Sequence, residues 1–210
     1  MSATAESLSA GPESQAPSTS QPRVILCGHP NVGKSLIFNC LTGRYVTVSN
    51  YPGTTVEVSS GSSPLIPEFR ISDTPGAYSL LPISEEEKVT RSILLDAKPE
   101  DVIVHIVDAK NLRRMLPMTL ELLELGHRVV LVLNLMDEAR RYNVSIDSGR
   151  LSELFGIPVI ETVATRREGI DELCHAIRDG VPPPLRPEIA YEPAACETME
   201  RLASGGGQGE

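Results

Sequence analysis

The sequence predicts an α/β fold: a mostly parallel sheet of six strands with helices on both faces. Strand-like and helix-like segments alternate from about residue 23 to about residue 180. Two apolar runs, "DVIVHIVD" (101–108) and "RVVLVLNL" (128–135), are nearly continuous, as is typical of strands buried on both faces. Since crossovers between parallel strands are right-handed, the loops that follow the strands should line one edge, where open α/β sheets bind ligands.

The strands are predicted, in chain order, at residues 23–28, 68–73, 101–108, 128–135 and 158–164. The segment 43–58 is polar and contains two glycines and a proline. It therefore indicates a mobile loop, which should run into a sixth strand at the edge of the sheet.

Helices are predicted at residues 34–43, 84–97, 115–126, 148–156 and 169–180. The second has the clearest start, because Ser84 can cap its first turn and Glu87 stands at the capping-box position. The acidic residues of that turn also suit the positive end of the helix dipole. Gly43 and Gly126 should end the first and third helices.

The two ends of the chain have a different composition from the middle. Residues 1–22 are rich in Ser, Ala, Pro and Thr and should be disordered, because they offer too little apolar surface to offset the entropy of ordering. Residues 181–210 begin with the stiff linker "VPPPLRP" and continue as a short tail, in which 193–203 could form a helix. The predicted folded domain is residues 23–180, and the tail could be the truncated start of a helical domain.

Charge and cysteine content disfavour several classes of protein. The net charge is −9 and no basic run is longer than two residues, so we expect no nucleic-acid partner. The four cysteines form no C-x-x-C pair, which predicts free thiols in a reducing compartment and no zinc site. No apolar run reaches the roughly 18 residues of a membrane span, and no secretory signal is visible. We therefore expect the chain as given to be soluble and cytoplasmic.

The stretch "GHPNVGKS" (28–35) carries the clearest functional signal. It follows the first strand and opens the first helix, which is the setting that gives a phosphate-loop pattern its meaning. Gly28 and Gly33 let the backbone turn closely around a di- or triphosphate. Lys34 should neutralise the β- and γ-phosphates, and the Ser35 hydroxyl should bind Mg²⁺. The sequence thus predicts a P-loop NTPase.

A second motif, "DTPG" (73–76), ends the strand at 68–73. Asp73 at this edge could hold the Mg²⁺ through water, and Gly76 would let its N–H approach the γ-phosphate. In the preceding mobile loop, Thr54 or Thr55 could supply a second hydroxyl to Mg²⁺ once a γ-phosphate is present. Loops ordered by that phosphate and released on hydrolysis are a known switching device.

Two further motifs indicate that the base is guanine. In "NLMD" (134–137), Asp137 could accept hydrogen bonds from the N1–H and the 2-amino group of guanine, which adenine lacks. Asn134 should brace the base pocket against the phosphate loop. Taken alone, Asp137 could instead cap the next helix. In "VATRREG" (163–169), the Ala164 N–H should meet the guanine O6.

Together these motifs resemble the GTP-binding domain, a Ras-like G domain, of the ferrous-iron transport protein B (FeoB) family. The resemblance covers about residues 23–180 and is carried by "NYPGTTVE", "DTPGAYSL" followed by "EEEKVTRSILL", "VDAKNLRR" and "NLMDEA". It implies a switch that binds GTP and GDP with Mg²⁺ and takes part in ferrous-iron uptake. Family members continue into a helical domain and a membrane-spanning region, so the implied partner is a membrane transport domain, in the same chain or separate. A fragment of such a transporter would lie at the cytoplasmic face of the inner membrane.

The resemblance also assigns individual roles. Thr55 matches the threonine that joins Mg²⁺, and Asn31 matches the asparagine that helps bind K⁺ in potassium-dependent GTPases. K⁺ beside the phosphates can supply the charge that an arginine finger supplies elsewhere. Ala77 stands where Ras-like enzymes carry a glutamine, which implies slow hydrolysis, raised more by K⁺ than by Na⁺. Leu135 stands where most such GTPases carry lysine, which implies a weaker grip on the base.

The complete prediction assigns residues to three roles. The residues expected to contact the nucleotide are Gly28, His29, Pro30, Asn31, Val32, Gly33, Lys34, Ser35, Thr54, Thr55, Asp73, Gly76, Asn134, Asp137, Val163 and Ala164. Those expected to act in hydrolysis are Lys34, Thr55 and Gly76. The expected metal ligands are Ser35, Thr55 and Asp73 for Mg²⁺ and Asn31 for K⁺.

Two other functions stay open at this level. An RNA- or ribosome-associated GTPase of the Era or MnmE type would carry the same phosphate loop and "DTPG", although the acidic charge does not favour it. A module that binds nucleotide and signals by conformation, with negligible turnover, would suit the missing glutamine.

Overall fold

A computed structural model of the chain describes residues 21–43 and 46–182. The predictions for most of the N-terminal tail, for the linker beyond residue 182 and for the helix at 193–203 lie outside these residues. Within them the chain forms one sheet of seven strands, at Arg23–Cys27 (β1), Val46–Asn50 (β2), Glu57–Ser62 (β3), Arg70–Asp73 (β4), Val102–Asp108 (β5), Arg128–Asn134 (β6) and Val159–Glu161 (β7).

The strand order across the sheet is β2-β3-β4-β1-β5-β6-β7. The neighbouring strands β4, β1, β5, β6 and β7 all pair in parallel. The pairs β2–β3 and β3–β4 are antiparallel. The mostly parallel architecture is as predicted, but the count of six strands was wrong. The additional strand is β2, which lies inside the predicted mobile loop and pairs with the expected edge strand β3. Its sequence, VTVSN, lacks the continuous apolar run that marks the buried strands, and all five of its residues are exposed.

In the described residues, six α-helices connect the strands, at Lys34–Leu41 (α1), Glu85–Leu95 (α2), Leu112–Glu124 (α3), Met136–Arg141 (α4), Ser148–Phe155 (α5) and Ile170–Arg178 (α6). Five were predicted within a few residues, and the short α4 was not. The capping box of α2 is present, since Ser84 Oγ accepts from the Glu87 N–H and the Glu87 carboxylate accepts from the Ser84 N–H.

The core is centred on the parallel strands. Every residue of β5 is buried, and so is every residue of β6 after Arg128, which shows that both faces of the sheet are covered. Helix α1 packs on β1 and β4 and contacts α6, while α3 packs on β5 and β6. These helices fix the carboxyl ends of β1, β4, β5 and β6, where the predicted motifs stand.

In residues 21–43 and 46–182, no helix combines the length and the apolar character that crossing a bilayer requires.

Candidate nucleotide site

The phosphate loop leaves β1 and enters α1 with two glycines at which any side chain would be strained. Gly28 and Gly33 have φ of 141° and 89°, a region that side chains disfavour. A Cβ on Gly28 would lie 2.2 Å from the Ile106 carbonyl oxygen, and one on Gly33 would lie 2.4 Å from Asn134 Nδ2. The loop is therefore shaped by close contact with β5 and with the end of β6.

The start of α1 is open to an anion. No side chain caps this helix, and its first turn contains no acidic residue. The backbone N–H groups at the start of α1, and the positive end of its dipole, are therefore not neutralised by a side chain of the helix itself. This arrangement favours the binding of a phosphate group.

Lys34 begins α1 with its side chain largely buried. Its Nζ atom donates a hydrogen bond of 3.3 Å to the carbonyl of His29 within the same loop. Burial lowers the pKa of Lys34, and the nearby carboxylate of Asp73 opposes that shift. The ammonium group is thus a partly desolvated cation that a phosphate would stabilise.

Asp73 and Ser35 are brought together at the adjoining ends of β4 and α1. Ser35 Oγ donates a hydrogen bond of 3.0 Å to Asp73 Oδ2, while Asp73 Oδ1 is buried without a partner among the described residues. Burial raises the pKa of Asp73, against the lowering effects of Lys34 and of the Ser35 hydrogen bond. A hydroxyl and a carboxylate with a spare oxygen are the hard oxygen ligands that Mg²⁺ prefers.

These groups line a cavity of about 500 Å³. Thr55 contributes an exposed side chain to its wall. Thr54 does not line it, because its hydroxyl donates to the Tyr51 carbonyl at 3.0 Å and accepts from the Val56 N–H. Of the two threonines predicted as alternatives, only Thr55 thus lines the cavity.

The "DTPG" segment lies directly against the phosphate loop. A Cβ on Gly76 would lie 2.7 Å from Pro30 Cγ, so glycine allows this approach. Gly76 lines the cavity, and in the part of the chain that the structure describes its N–H has no hydrogen-bond partner. The next N–H is engaged, since Ala77 donates to the Gly28 carbonyl at 3.1 Å.

The base motifs meet behind the phosphate loop. Asn134 Nδ2 donates to the Val32 carbonyl at 2.9 Å, as the predicted bracing role requires. Its Oδ1 accepts from Thr162 Oγ1 at 3.0 Å and from the Ala164 N–H at 3.2 Å. The Ala164 N–H, predicted to meet the guanine O6, is therefore directed to Asn134 in this structure. Val163 is buried beside it.

Asp137 lies in the first turn of α4, whose N-cap is Leu135 with a left-handed φ of 62°. The alternative of Asp137 as a helix cap is therefore wrong. Its carboxylate is half-buried and lies 3.6 Å from Arg166 Nη2. The left-handed turn at Leu135 is what aims the start of α4, and with it Asp137, toward the segment that follows β7.

Sequence reasoning missed three polar residues around the site. Thr162 helps to hold Asn134, and no local motif marks it. Glu87 was found as a capping residue, but its carboxylate also accepts from the Tyr78 and Ile83 N–H groups. Glu121 on α3 accepts from the Leu80 N–H at 2.7 Å, a contact that only the tertiary structure reveals. The last two carboxylates hold the segment that follows Gly76.

Comparisons with known proteins identify the family of the chain. A model of the family described as "Ferrous iron transport protein B" matches residues 22–177. The chain belongs to this family. It is 40% identical over 156 residues to the Fe(2+) transporter FeoB of Campylobacter jejuni, covering 74% of this chain and 25% of that protein. The Escherichia coli K12 FeoB is also 40% identical, with 72% and 20% covered. The chain thus spans a quarter or less of the length of these two FeoB transporters.

Solved structures of FeoB domains share the fold. The cytosolic domain of L. pneumophila FeoB aligns with a TM-score of 0.78 at 34% identity, covering 89% of this chain and 83% of that one. The G domain of T. maritima FeoB aligns with a TM-score of 0.67 at 38% identity, covering 75% and 97%. An S. thermophilus NFeoB variant bound to mGDP aligns with a TM-score of 0.74 at 33% identity, covering 88% and 72%. The predicted P-loop G-domain fold is confirmed.

Proposed function

We propose that this chain is a GTP-binding and slowly GTP-hydrolysing switch domain of a ferrous-iron transporter, stimulated by K⁺. The observation that carries the proposal is the cluster of Lys34, Ser35 and Asp73 at one cavity. It places a desolvated cation and a carboxylate with an unused buried oxygen beside an uncapped helix start. A nucleoside triphosphate with its metal ion would supply the phosphate that the Lys34 ammonium group lacks and a ligand for the unused Asp73 oxygen.

The phosphates would lie in the loop 28–35, where the backbone N–H groups of the glycine turn wrap them. Lys34 would leave its weak contact with the His29 carbonyl and bind the β- and γ-phosphates. Ser35, Asp73 and Thr55 fit Mg²⁺ by their chemistry and by sharing the wall of the 500 Å³ cavity. Bound there, Mg²⁺ would neutralise negative charge on the β- and γ-phosphate oxygens.

Guanine would lie between "NLMD" and "VATRREG", bound by Asp137 and packed near Val163 and Ala164. Asp137 accepts from N1–H and the 2-amino group, so adenine is rejected because it would leave the half-buried carboxylate without donors. Binding requires Asp137 to exchange Arg166 for the base.

Hydrolysis should be slow because Ala77 has no polar group that could orient the attacking water. Ala77 is buried and its N–H is engaged by Gly28, which leaves the Gly76 N–H and the Thr55 region to face the γ-phosphate. Asn31 is exposed at the turn of the phosphate loop with a left-handed φ of 65°, and its amide oxygen suits K⁺. K⁺ would add positive charge beside the phosphates.

The iron-transport context rests on the family. Curated relatives are named as Fe(2+) transporters, and the matched region is a quarter or less of C. jejuni and E. coli FeoB. We infer a partnership with a membrane transport domain, in the same chain or as a separate one, at the cytoplasmic side. The net charge of −9 does not favour an RNA- or ribosome-associated role.

Nucleotide choice tests the site directly. The affinities of fluorescent GDP and ADP analogues should be measured with Mg²⁺ present, for the native chain and for Asp137→Asn. We expect a strong preference for GDP in the native chain. The variant should lose that preference and gain affinity for xanthosine diphosphate, because its amide donates where xanthine carries a second carbonyl. Equal binding of GDP and ADP by the native chain contradicts the proposed site.

Turnover tests the reaction and the role of K⁺. Phosphate release from saturating GTP should be compared in KCl and NaCl for the native chain, Asn31→Ala and, as a matched control, Asn39→Ala on the exposed side of α1. We expect K⁺ to raise the rate in the native chain and in Asn39→Ala only. If GTP binds but is not turned over in either salt, the chain is a conformational switch without catalysis, and the hydrolytic part of the proposal is wrong.

A further inference from the structure

Strand β7, at the far edge of the sheet from β2, lines a cavity of about 380 Å³. Among the described strands, β7 pairs with β6 alone. The cavity lies between α4 and the start of α5 on one side and the first turn of α6 on the other. Of the residues predicted to contact the nucleotide, only Val163 lines it. The proposed binding of GTP therefore leaves most of this cavity unused.

The backbone of β7 has groups that point away from the sheet. The Pro158 carbonyl and the Thr162 N–H both form hydrogen bonds to β6, at 3.0 Å and 2.8 Å. Backbone groups alternate in direction along a strand, so those of Ile160 also face β6, while those of Val159 and Glu161 face outward. No residue in 21–43 or 46–182 forms a hydrogen bond with these outward groups.

The loop between β7 and α6 covers the carboxyl end of this edge. The Val163 N–H donates to the Glu168 carbonyl at 3.1 Å, and a Cβ on Gly169 would lie 2.1 Å from the Glu161 carbonyl oxygen. In the described part of the chain, three outward groups stay open: the N–H and the carbonyl of Val159 and the N–H of Glu161. These positions span about three residues of an added strand.

The cavity is acidic. Three carboxylates line it, on Glu161, Glu168 and Glu172, against one guanidinium group, on Arg140. Arg140 lies 3.4 Å from Glu161, and Arg166, outside the cavity, lies 3.5 Å from Glu168. Glu172 is exposed and makes no ion pair or hydrogen bond with any residue that the structure describes. A segment that carries Lys or Arg would therefore be attracted to this edge, and an acidic one would be repelled.

Charge also decides among the possible occupants of the cavity. A second copy of the chain would bring the same acidic edge and would be repelled. Residues 1–20 contain two Glu and no Lys or Arg, and residues 183–210 contain five Glu and two Arg. Both of these segments are thus acidic as well. The cavity fits a basic segment that neither of them supplies.

We propose that β7 is a docking edge for a basic, extended segment of another polypeptide. The segment adds a strand beside β7, and its backbone forms hydrogen bonds with Val159 and with the Glu161 N–H. Its Lys or Arg side chains lie beside Glu172 and the neighbouring carboxylates. This interaction requires no guanine nucleotide, so it does not rest on the proposed function.

The test is a titration of the full chain, labelled with ¹⁵N, with an end-blocked hexapeptide of alternating Lys and Val. We expect saturable NMR shifts of the Val159 and Glu161 amide signals, equally with and without GDP. A peptide with Glu in place of Lys should not bind. A fully N-methylated Lys–Val peptide keeps the charges but has no backbone N–H, so it should bind at least tenfold more weakly.

The role of charge is tested by Glu172→Gln, which should weaken binding of the Lys–Val peptide about two- to fivefold. Glu100→Gln is the matched control, because it removes the same charge from an exposed position outside the cavity. The proposal is wrong if the two variants bind the peptide equally, if N-methylation does not weaken binding, or if the Val159 and Glu161 signals do not shift. Displacement of the peptide by GDP would place it in the base pocket and would also contradict the proposal.

Discussion

Asn134 ties the end of β6 to the phosphate loop, because its Nδ2 donates a hydrogen bond of 2.9 Å to the carbonyl of Val32. The same side chain accepts from Thr162 and from the Ala164 N–H, and it is fully buried. One amide thus connects the loops after β1, β6 and β7. The geometry of the phosphate loop and that of the base loops are therefore interdependent even without a ligand.

Replacing Asn134 should destabilise the whole domain. Asn134→Ala leaves the Val32 carbonyl and the Ala164 N–H buried without their partner, which we expect to cost about 2–4 kcal/mol of unfolding free energy. Urea unfolding without nucleotide measures this directly. Asn39→Ala, on the exposed side of α1, is the control and should leave the midpoint nearly unchanged. Equal midpoints for the two variants would show that the buried network contributes no net stability.

Replacing Gly33, which packs closely against Asn134, should destabilise the domain more than replacing a glycine in open space. Gly33→Ala introduces both an unfavourable φ and a contact of 2.4 Å with Asn134 Nδ2, whereas Gly126→Ala introduces only the φ, at 81°, with nothing within 4 Å. We expect about 1 kcal/mol of destabilisation for Gly126→Ala and about 2–4 kcal/mol for Gly33→Ala. Thermal and urea unfolding separate the two. A similar loss in both would show that the loop relaxes away from Asn134.

Stability should depend on pH through Glu87. A hydrogen bond from the Ile83 N–H, joined by those of Ser84 and Tyr78, holds the pKa of Glu87 below its ordinary value of 4.5, against the effect of burial. A depressed carboxyl pKa contributes stability above the unfolded-state pKa, and this contribution is lost as the pH falls through the folded-state value. Glu87→Gln should therefore be less stable than the native chain at pH 7, by about 1 kcal/mol.

The difference between the native chain and Glu87→Gln should shrink below pH 4.5 and disappear once Glu87 is protonated in the native chain. Denaturant midpoints at a series of pH values measure it. Glu85→Gln is the matched control, because Glu85 is exposed and pairs only with Lys88 in the described region. A difference that does not vary with pH would assign the effect of Glu87 to packing and not to its charge.

Arg166 should compete with guanine for Asp137. Arg166 Nη2 lies 3.6 Å from Asp137 Oδ2, and the arginine side chain is 61% exposed. Exposed ion pairs contribute up to about 1 kcal/mol and are screened by salt. We expect Arg166→Ala to bind GDP about two- to fivefold more tightly at low ionic strength and equally at high ionic strength. Arg150→Ala, which breaks a remote exposed pair with Glu153, should do neither. Weaker binding by Arg166→Ala would show that Arg166 supports the base.

Much of this architecture could be predicted because strong local signals coincide with it. The buried strands β5 and β6 are long apolar runs, and Ser84 with Glu87 marks the start of α2. The phosphate loop could be placed because its glycines stand at a fixed spacing between a strand and a helix. The structure then shows why glycine is favoured there, because an added Cβ would lie too close to Ile106 or Asn134.

The missed features lack such local signals. Strand β2 is exposed along its whole length, so its pairing with β3 depends on the backbone and not on an apolar face. Helix α4 has six residues, and its start depends on a left-handed Leu135, which is unusual for a branched side chain. Glu121 binds a backbone N–H 41 positions away, a separation that no local pattern encodes. The roles assigned to individual site residues stay predictions until nucleotide binding is measured.

Burial increases across the sheet from the β2 edge to β5. Strand β2 shows every side chain to solvent, whereas every residue of β5 is enclosed. Peeling β2 from β3 thus breaks backbone hydrogen bonds but uncovers almost no core. We therefore expect the β2–β3 ribbon that precedes Thr55 to open at a lower free-energy cost than global unfolding, with the parallel strands behind the phosphate loop still assembled.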